Sequence, residues 1–440
     1  MWERHGSVRG MRTEAESARR NFRLSVWNGI SFNVGETFVD PATVLALLVS
    51  QLTSSNWIVG MAVALTEVGW YAPQILTIQF LERRSRRLPI YRAMAVVRIL
   101  ALIGAVTALF VLGDRQPERT LFWFLLGFGV FALAGGFSAV AFYDVVGRTV
   151  PLSWHPRLWA MRLFYGGLLS ALCGLAVRAL LQRPGFVERF GTLFAIGTVF
   201  LALGAILFTF ADEPPVEVSR KEMHLAAHLR ESASVAWGDP AFRALFGTRV
   251  ALAGAAIATP FLALYAMRSL GLPAAAVGGF LSAKIVGYVG ANPLWQRVAT
   301  RWGNRRVMGF VGLLAMGAPL CALAAPWIPA AGPGRGALLA IAFACIGATV
   351  SGTNIGYQSL LLTIAPAARR PSYVGLMNSF VAPATALPAL GGLLVDATRP
   401  ELIFGVAIAC AAGAMGLARR LPAGPATDAR PGPDREGDAG

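Results

Sequence analysis

Twelve runs of mostly apolar residues follow one another along the chain. Each is close to the ~20 residues that a helix needs to cross a bilayer. They fall at roughly 24–50, 57–80, 91–112, 120–146, 160–181, 190–210, 242–267, 274–296, 307–328, 336–363, 373–395 and 402–418, and are numbered as spans 1 to 12. The joints are short and polar, or hold Pro and Gly, as in GDRQPER, LQRPGF and PAAGPGRG. Backbone inside hydrocarbon must satisfy its own hydrogen bonds, so runs of this length leave only helices. Composition agrees, with 55% hydrophobic and 14% charged residues, where a soluble domain carries about 25% charged. The expected class is an all-α protein of twelve transmembrane helices, embedded in the lipid bilayer of the inner or plasma membrane.

The formal charge of +16 does not point to nucleic acid. The basic residues cluster in the joints, without the aromatic-interleaved stripe or module that binds nucleic acid. Cys173, Cys321, Cys345 and Cys410 sit inside apolar runs, without metal-ligand spacing or a disulfide framework. They read as small packing residues. No Walker A loop, Ser-His-Asp arrangement or metal-ligand spacing stands out, so neither an enzyme nor a cofactor or metal is expected. His224 and His228, one turn apart, are a weak metal pair. They read better as part of an amphipathic surface helix, EMHLAAHLRESASVAW.

Placing the N-terminus inside gives the internal joints more than twice as many Lys and Arg as the external ones. By the positive-inside rule both termini face the cytoplasm. The N-terminal stretch lacks the apolar core and cleavage site of a signal peptide. The organisation expected is a cytoplasmic tail at 1–21, a six-helix bundle at 22–210, a cytoplasmic linker at 211–240, a second six-helix bundle at 241–418 and a disordered tail at 419–440.

The halves echo each other at an offset of roughly 215–220 residues. Phe22-Arg23 matches Phe242-Arg243, Pro41 matches Pro260, and Pro151 matches Pro366. LERRSRR at 81–87 matches VATRWGNRR at 298–306. A shared offset makes an internal duplication, a common plan among secondary transporters.

Those two joints carry a family resemblance. The sequence resembles the major facilitator superfamily, whose motif after span 2 reads Asp-Arg-x-Gly-Arg-Arg, with a weaker copy after span 8. Here the copies are Glu82-Arg83-Arg84-Ser85-Arg86-Arg87 and Thr300-Arg301-Trp302-Gly303-Asn304-Arg305. The resemblance covers about residues 22–418. It implies two pseudo-symmetric six-helix bundles around a central cavity, with alternating access. It also implies that the Arg clusters hold the cytoplasmic side together while the other side is open. Glu82, Arg83, Arg86, Arg87, Asp144, Arg301 and Arg305 are the gating candidates, with Asp144 as the acid that the arginines reach. The alternative is that these arginines only set topology. Span 5 holds Gly166, Gly167 and Gly174 but lacks the Gly-Pro pair of the family's drug–proton antiporters.

Charges inside membrane spans are costly and face a cavity or each other. Spans 6, 9 and 12 have none in their interiors, which fits outer supports. Arg98 in span 3 is expected to snorkel to the interface. The remaining charges and polar side chains concentrate on a few faces: Asn33, Glu36 and Asp40 in span 1; Glu67, Trp70 and Gln74 in span 2; Lys284, Tyr288 and Asn292 in span 8; Ser351, Asn354 and Gln358 in span 10. Each set repeats at helical spacing. Asn378 is a polar point in span 11, and Arg249 a charge in span 7. These residues are the candidates for substrate binding and coupling. Glu36 is read as a proton carrier, as a ligand for polar or cationic cargo, or as half of a salt bridge in which Glu36 or Glu67 meets Lys284 or Arg249. An unpaired charge at mid-membrane is the reading rejected. Asp40 is ranked below Glu36, because Pro41 marks a kink.

The chain is thus expected to be a secondary active transporter for a small solute, with proton coupling as one mode. The rivals are an uncoupled facilitator and a non-transporting receptor or scaffold on the same fold. Two bundles enclosing their own cavity are expected to work as a monomer.

Overall fold

The computed structural model describes residues 3–74, 77, 80, 84–215, 234, 236–365 and 370–422. Glu82 and Arg83, His224 and His228, most of the expected surface helix and the tail from 423 onward lie outside the described residues. Among the described residues there is no strand. Ten helices among them are long and apolar enough to cross a membrane. Two further helices complete the twelve. Span 2 is described as Asn56–Tyr71, a helix of 16 residues. Span 8, Ala276–Trp302, carries Lys284, Asn292, Gln296 and Arg297 along its length.

The first helix runs unbroken from Glu3 to Phe38. The described part of the expected 1–21 tail therefore continues span 1 as one helix. Span 1 then breaks. Pro41 has no N–H to offer, and the chain passes through one wide turn, Pro41–Leu45, whose Leu45 N–H donates to the Asp40 carbonyl at 3.0 Å. Span 7 breaks at the matching height, with the tight turn Ala256–Ala258 just ahead of Pro260. The proline repeat in the sequence is thus a repeat of helix breaks.

The halves meet where span 2 crosses span 11 and where span 5 crosses span 8. The repeat makes these the same crossing twice. The offset that separates Gly60 from Gly278 also separates Gly174 from Gly392. A Cβ at Gly60 would strike the Pro388 carbonyl, and one at Gly392 the Asn56 carbonyl. A Cβ at Gly278 would strike the Gly174 carbonyl, and one at Gly174 the Ser282 hydroxyl. Small residues let helix backbones approach closely in a membrane, where apolar burial gives no drive toward contact.

The cores show which end is closed. One large buried cluster joins both halves, running through Leu45–Val49, Val59, Val177, Ile257–Ala266 and Phe280. The other two clusters each belong to one half, around Tyr91, Phe142 and Phe208 in the first, and around Phe242, Trp295 and Tyr373 in the second. Both lie toward the end that holds the joints at 84–88 and 302–304, the Arg-rich end. The molecule is sealed at the opposite end and parted at the Arg-rich end. The seal has polar stitches. Asp396 at the end of span 11 accepts from the Asn56 and Trp57 N–H groups at 2.9 and 3.0 Å. Arg268 donates to the Asn56 side chain at 3.1 Å.

At the Arg-rich end of the first half, the segment after span 6 ties spans 1 and 3 together. Glu213 accepts from the Arg87 and Leu88 N–H groups at 2.8 and 2.7 Å, capping span 3. Asp212 pairs with Arg20 at 3.2 Å, and its backbone N–H and carbonyl both bond the Asn21 side chain. Glu213→Ala strips the cap and is expected to cost about 1 kcal/mol, read as a lower unfolding midpoint in detergent. A Glu213→Gln midpoint below that of Glu213→Ala would contradict the capping role.

Arg98 does not snorkel. It lies at mid-span in Leu88–Val111, is 8% exposed, and stacks over the Phe131 ring at 4.7 Å and the Phe32 ring at 5.7 Å. Ser138 accepts from its guanidinium at 3.4 Å. The side chain turns inward because span 4 offers it an aromatic face and a hydroxyl, and span 1 a second ring, which together replace part of its hydration.

Candidate functional site

The break in span 1 builds the site. The helix stops at Phe38, so Asp40 leaves the regular spiral with an extended ψ of 120°. Its carboxylate accepts from the Thr43 hydroxyl at 2.8 Å. It then reaches across the two halves to the Lys284 ammonium in span 8, at 2.5 Å. The side chains are 13% and 23% exposed, so this pair is partly open to a cavity. Span 10 backs Lys284 closely, since Gly347 leaves no room for a Cβ against the Lys284 carbonyl.

A cavity of about 130 Å³ surrounds the pair. Asn33, Glu36 and Asp40 line it from span 1, Lys284 and Tyr288 from span 8, and Ser170 from span 5. Leu163, Leu281, Ile285 and Val350 supply apolar wall. Five of the residues singled out in the sequence therefore share one cavity between the halves.

The structure alters the expected pairing. Asp40, ranked below Glu36, is the acid that meets Lys284, and neither Glu36 nor Glu67 forms an ion pair among the described residues. Glu36 projects into the cavity half-buried, without a hydrogen bond among the described residues. Glu36 thus has no ionic partner among the described residues, against the expectation that a charge there is paired. The reason is geometric. Glu36 sits on the intact helix one turn before the break, and only the residue at the break is carried far enough toward span 8. The charges that act on Glu36 are Asp40, Arg98, Glu67 and Lys284. Those that act on Glu67 are Lys284, Arg249 and Asp40. Glu67 is exposed, as are Asn354 and Gln358, which share a face of span 10 with Val350.

A second polar chain joins the halves. The Tyr357 hydroxyl donates to the Asn378 carbonyl oxygen at 3.1 Å, and the Asn378 amide donates to the Gln74 carbonyl oxygen at 3.2 Å. Gln74 also donates to the Trp70 carbonyl at 3.0 Å. Arg249 stacks over the Tyr357 ring at 4.5 Å. The sequence reading passes over Tyr357 because its neighbour Gln358 carries the polar face, and it offers Arg249 only Glu36 or Glu67 as a partner. Trp70 is half-buried and packs on Phe32 at 6.2 Å between ring centres. Asn292 and Asn33 use their amides locally, donating to the Tyr288 and Gly29 carbonyls at 2.8 Å each. Ser351 is buried, with no partner for its hydroxyl among the described residues.

Of the gating candidates, Arg87 is buried and places its Nε 3.3 Å from an Asp144 carboxylate oxygen, while Arg148 holds the other oxygen at 2.9 Å. Arg86 is exposed. In the second copy, Arg301 stacks over Trp302 at 5.7 Å, and neither Arg301 nor Arg305 meets an acid among the described residues.

Twelve spans in two repeated bundles, parted at one end around a polar cavity, define a class of polytopic membrane proteins. Residues 244–439 match the family model described as Major Facilitator Superfamily. The same fold recurs over nine-tenths of the chain. A mutant form of the nucleoside transporter NupG superposes with a TM-score of 0.67 at 13% identity, covering 91% of this chain and 98% of that one. A D-xylose-proton symporter gives 0.66 at 15% identity, covering 92% and 98%. A bacterial homologue of the iron transporter ferroportin, in its inward-facing state, gives 0.62 at 16% identity, covering 91% and 98%. A comparison with curated protein sequences finds no match. The second half of the chain thus matches this family in sequence, and the whole chain shares the fold of these transporters.

Proposed function

We propose that this protein is a secondary active transporter that carries a small solute by alternating access, with Glu36 as the proton carrier. One observation carries the reading: an unpartnered carboxylate, Glu36, shares a cavity between the halves with an ion pair, Asp40–Lys284, that bridges them. A charged group at this depth needs a function or a partner, and proton exchange supplies the function. The structural neighbours include a proton symporter, which supports coupling without deciding it.

In this reading both termini face the cytoplasm, so the parted Arg-rich end is an inward-open state. Substrate enters past Asn354, Gln358 and Glu67 to reach Glu36, Asp40, Lys284 and Tyr288. Trp70, Gln74, Asn292, Asn33 and Asn378 shape the passage. Arg86, Arg87 and Asp144, with Glu82 and Arg83 before them and Arg301 and Arg305 in the repeat, act as the inner gate when the halves close there. The bundles 22–210 and 241–418, joined through 211–240, are the moving bodies of a monomer in the inner or plasma membrane.

Proteoliposomes test the coupling. Glu36→Gln is expected to abolish accumulation driven by a pH gradient while sparing counterflow of the same solute. Accumulation unchanged in the variant would remove Glu36 from the coupling step. Equilibration without any response to a pH gradient in the wild type would leave a facilitator.

A further inference from the structure

The charges around the cavity favour one class of cargo. Asp40 already neutralises Lys284. Glu36 adds an unpaired carboxylate to the same wall, and Glu67 adds an exposed one nearby. The other two cations of the region do not line the cavity and are stacked on rings. Arg98 is buried behind Phe32 and Phe131, and Arg249 lies over Tyr357. An anion entering the cavity would meet only a cation that is already paired, together with uncompensated carboxylate. A cation would meet Glu36 directly and could take the place of Lys284 at Asp40.

The rest of the wall separates an organic cation from a metal ion. Leu163, Leu281, Ile285 and Val350 give no ligands to an inorganic cation. Among the described residues no group of three His, Cys, Asp or Glu stands close enough to hold one. Hard cations need several oxygen ligands in a closed shell. An ammonium on an apolar body needs only carboxylate acceptors, aliphatic wall and a ring, and Tyr288 provides the ring. The cavity of about 130 Å³ has room for the cationic head, with the body extending toward Glu67 and the parted end.

We infer that the cargo is a small organic cation, a primary ammonium on an apolar or aromatic body, which competes with the Lys284 ammonium for Asp40 and is held by Glu36. This rests on the transporter reading above and gives that site its substrate class. The lysine acts as a tethered stand-in that keeps Asp40 neutralised when the cavity holds no cargo.

The competition makes the two partners behave oppositely, which a merely structural salt bridge would not do. The purified protein in detergent would be titrated with benzylammonium, benzyl alcohol and benzoate, reading the unfolding midpoint. Benzylammonium alone is expected to raise the midpoint of the wild type. Lys284→Ala should bind it about tenfold more tightly, because the site no longer holds an internal competitor. Lys284→Met serves the same purpose if the alanine variant does not fold. Asp40→Asn should lose most of the shift. Weaker benzylammonium binding in both lysine variants, or unchanged binding in Asp40→Asn, overturns the inference. A shift with benzoate or benzyl alcohol overturns the cation class but leaves a solute site, and so the transporter reading, in place. A response to none of the three also overturns it, and the pH-driven flux experiment then decides the transporter reading separately.

Discussion

Lys284→Ala alone is expected to destabilise the protein by about 3 kcal/mol, and Lys284→Ala combined with Asp40→Asn by less than about half of that. Removing one partner of a buried ion pair costs about 3–5 kcal/mol, because the remaining charge stays desolvated without compensation. The lower end applies because the Lys284 side chain keeps 23% exposure to the cavity. Removing both charges leaves a neutral amide and a gap, so most of the penalty disappears. The pair lies between the halves, so its loss weakens the junction of spans 1 and 8 as well as one local contact. Equilibrium unfolding in mixed micelles would read both variants. Equal destabilisation in the single and double variants would mean that the 2.5 Å contact contributes nothing, and that Asp40 is stabilised by the Thr43 hydroxyl alone.

The twelve spans and the repeat are legible in the sequence because length, apolarity and a shared offset are one-dimensional properties. So are the faces. Asn33, Glu36 and Asp40 on one helix and Lys284 and Tyr288 on another do line one cavity. Partner choice is not legible in this way. Whether Asp40 or Glu36 meets Lys284 depends on how far a broken turn carries one carboxylate, and a helical wheel drawn through residues 33–40 assumes that no break exists. Proline at 41 announces the break and ranks Asp40 below Glu36 in the sequence, whereas the break is what delivers that carboxylate to span 8. Arg98 misleads for the opposite reason. Depth along one helix suggests escape to the interface, and only the neighbouring spans show the rings and hydroxyl that keep it inside. Glu213 is invisible as a cap because the backbone it caps is more than a hundred residues away in sequence.

Gly392→Leu and Gly174→Leu are each expected to open the sealed end and abolish transport. At the sealed end a side chain at Gly392 collides with the Asn56 carbonyl of span 2, and one at Gly174 with the Ser282 hydroxyl and the Gly278 carbonyl of span 8. Backbone cannot step aside as a side-chain tip can, so the halves must part or overpack. Overpacking costs about 1–3 kcal/mol. Applied between two states of similar energy, this shifts their ratio by roughly fivefold to 150-fold. Opening the sealed end relieves the clash, so the shift runs toward the state in which that end is parted. Val59, fully buried in the joint core next to Gly60, reports this directly. In a background without the four native cysteines, Val59→Cys should react with an impermeant thiol reagent far faster in either glycine variant. Gly279→Leu is the control, because nothing lies within 4 Å of a Cβ there although it adjoins Gly278. Equal labelling in the Gly392→Leu, Gly174→Leu and control proteins would mean that the crossings do not limit the motion. Labelling in one variant alone would mean that the duplicated crossings, alike in sequence offset and in geometry, have been given different duties in the moving protein.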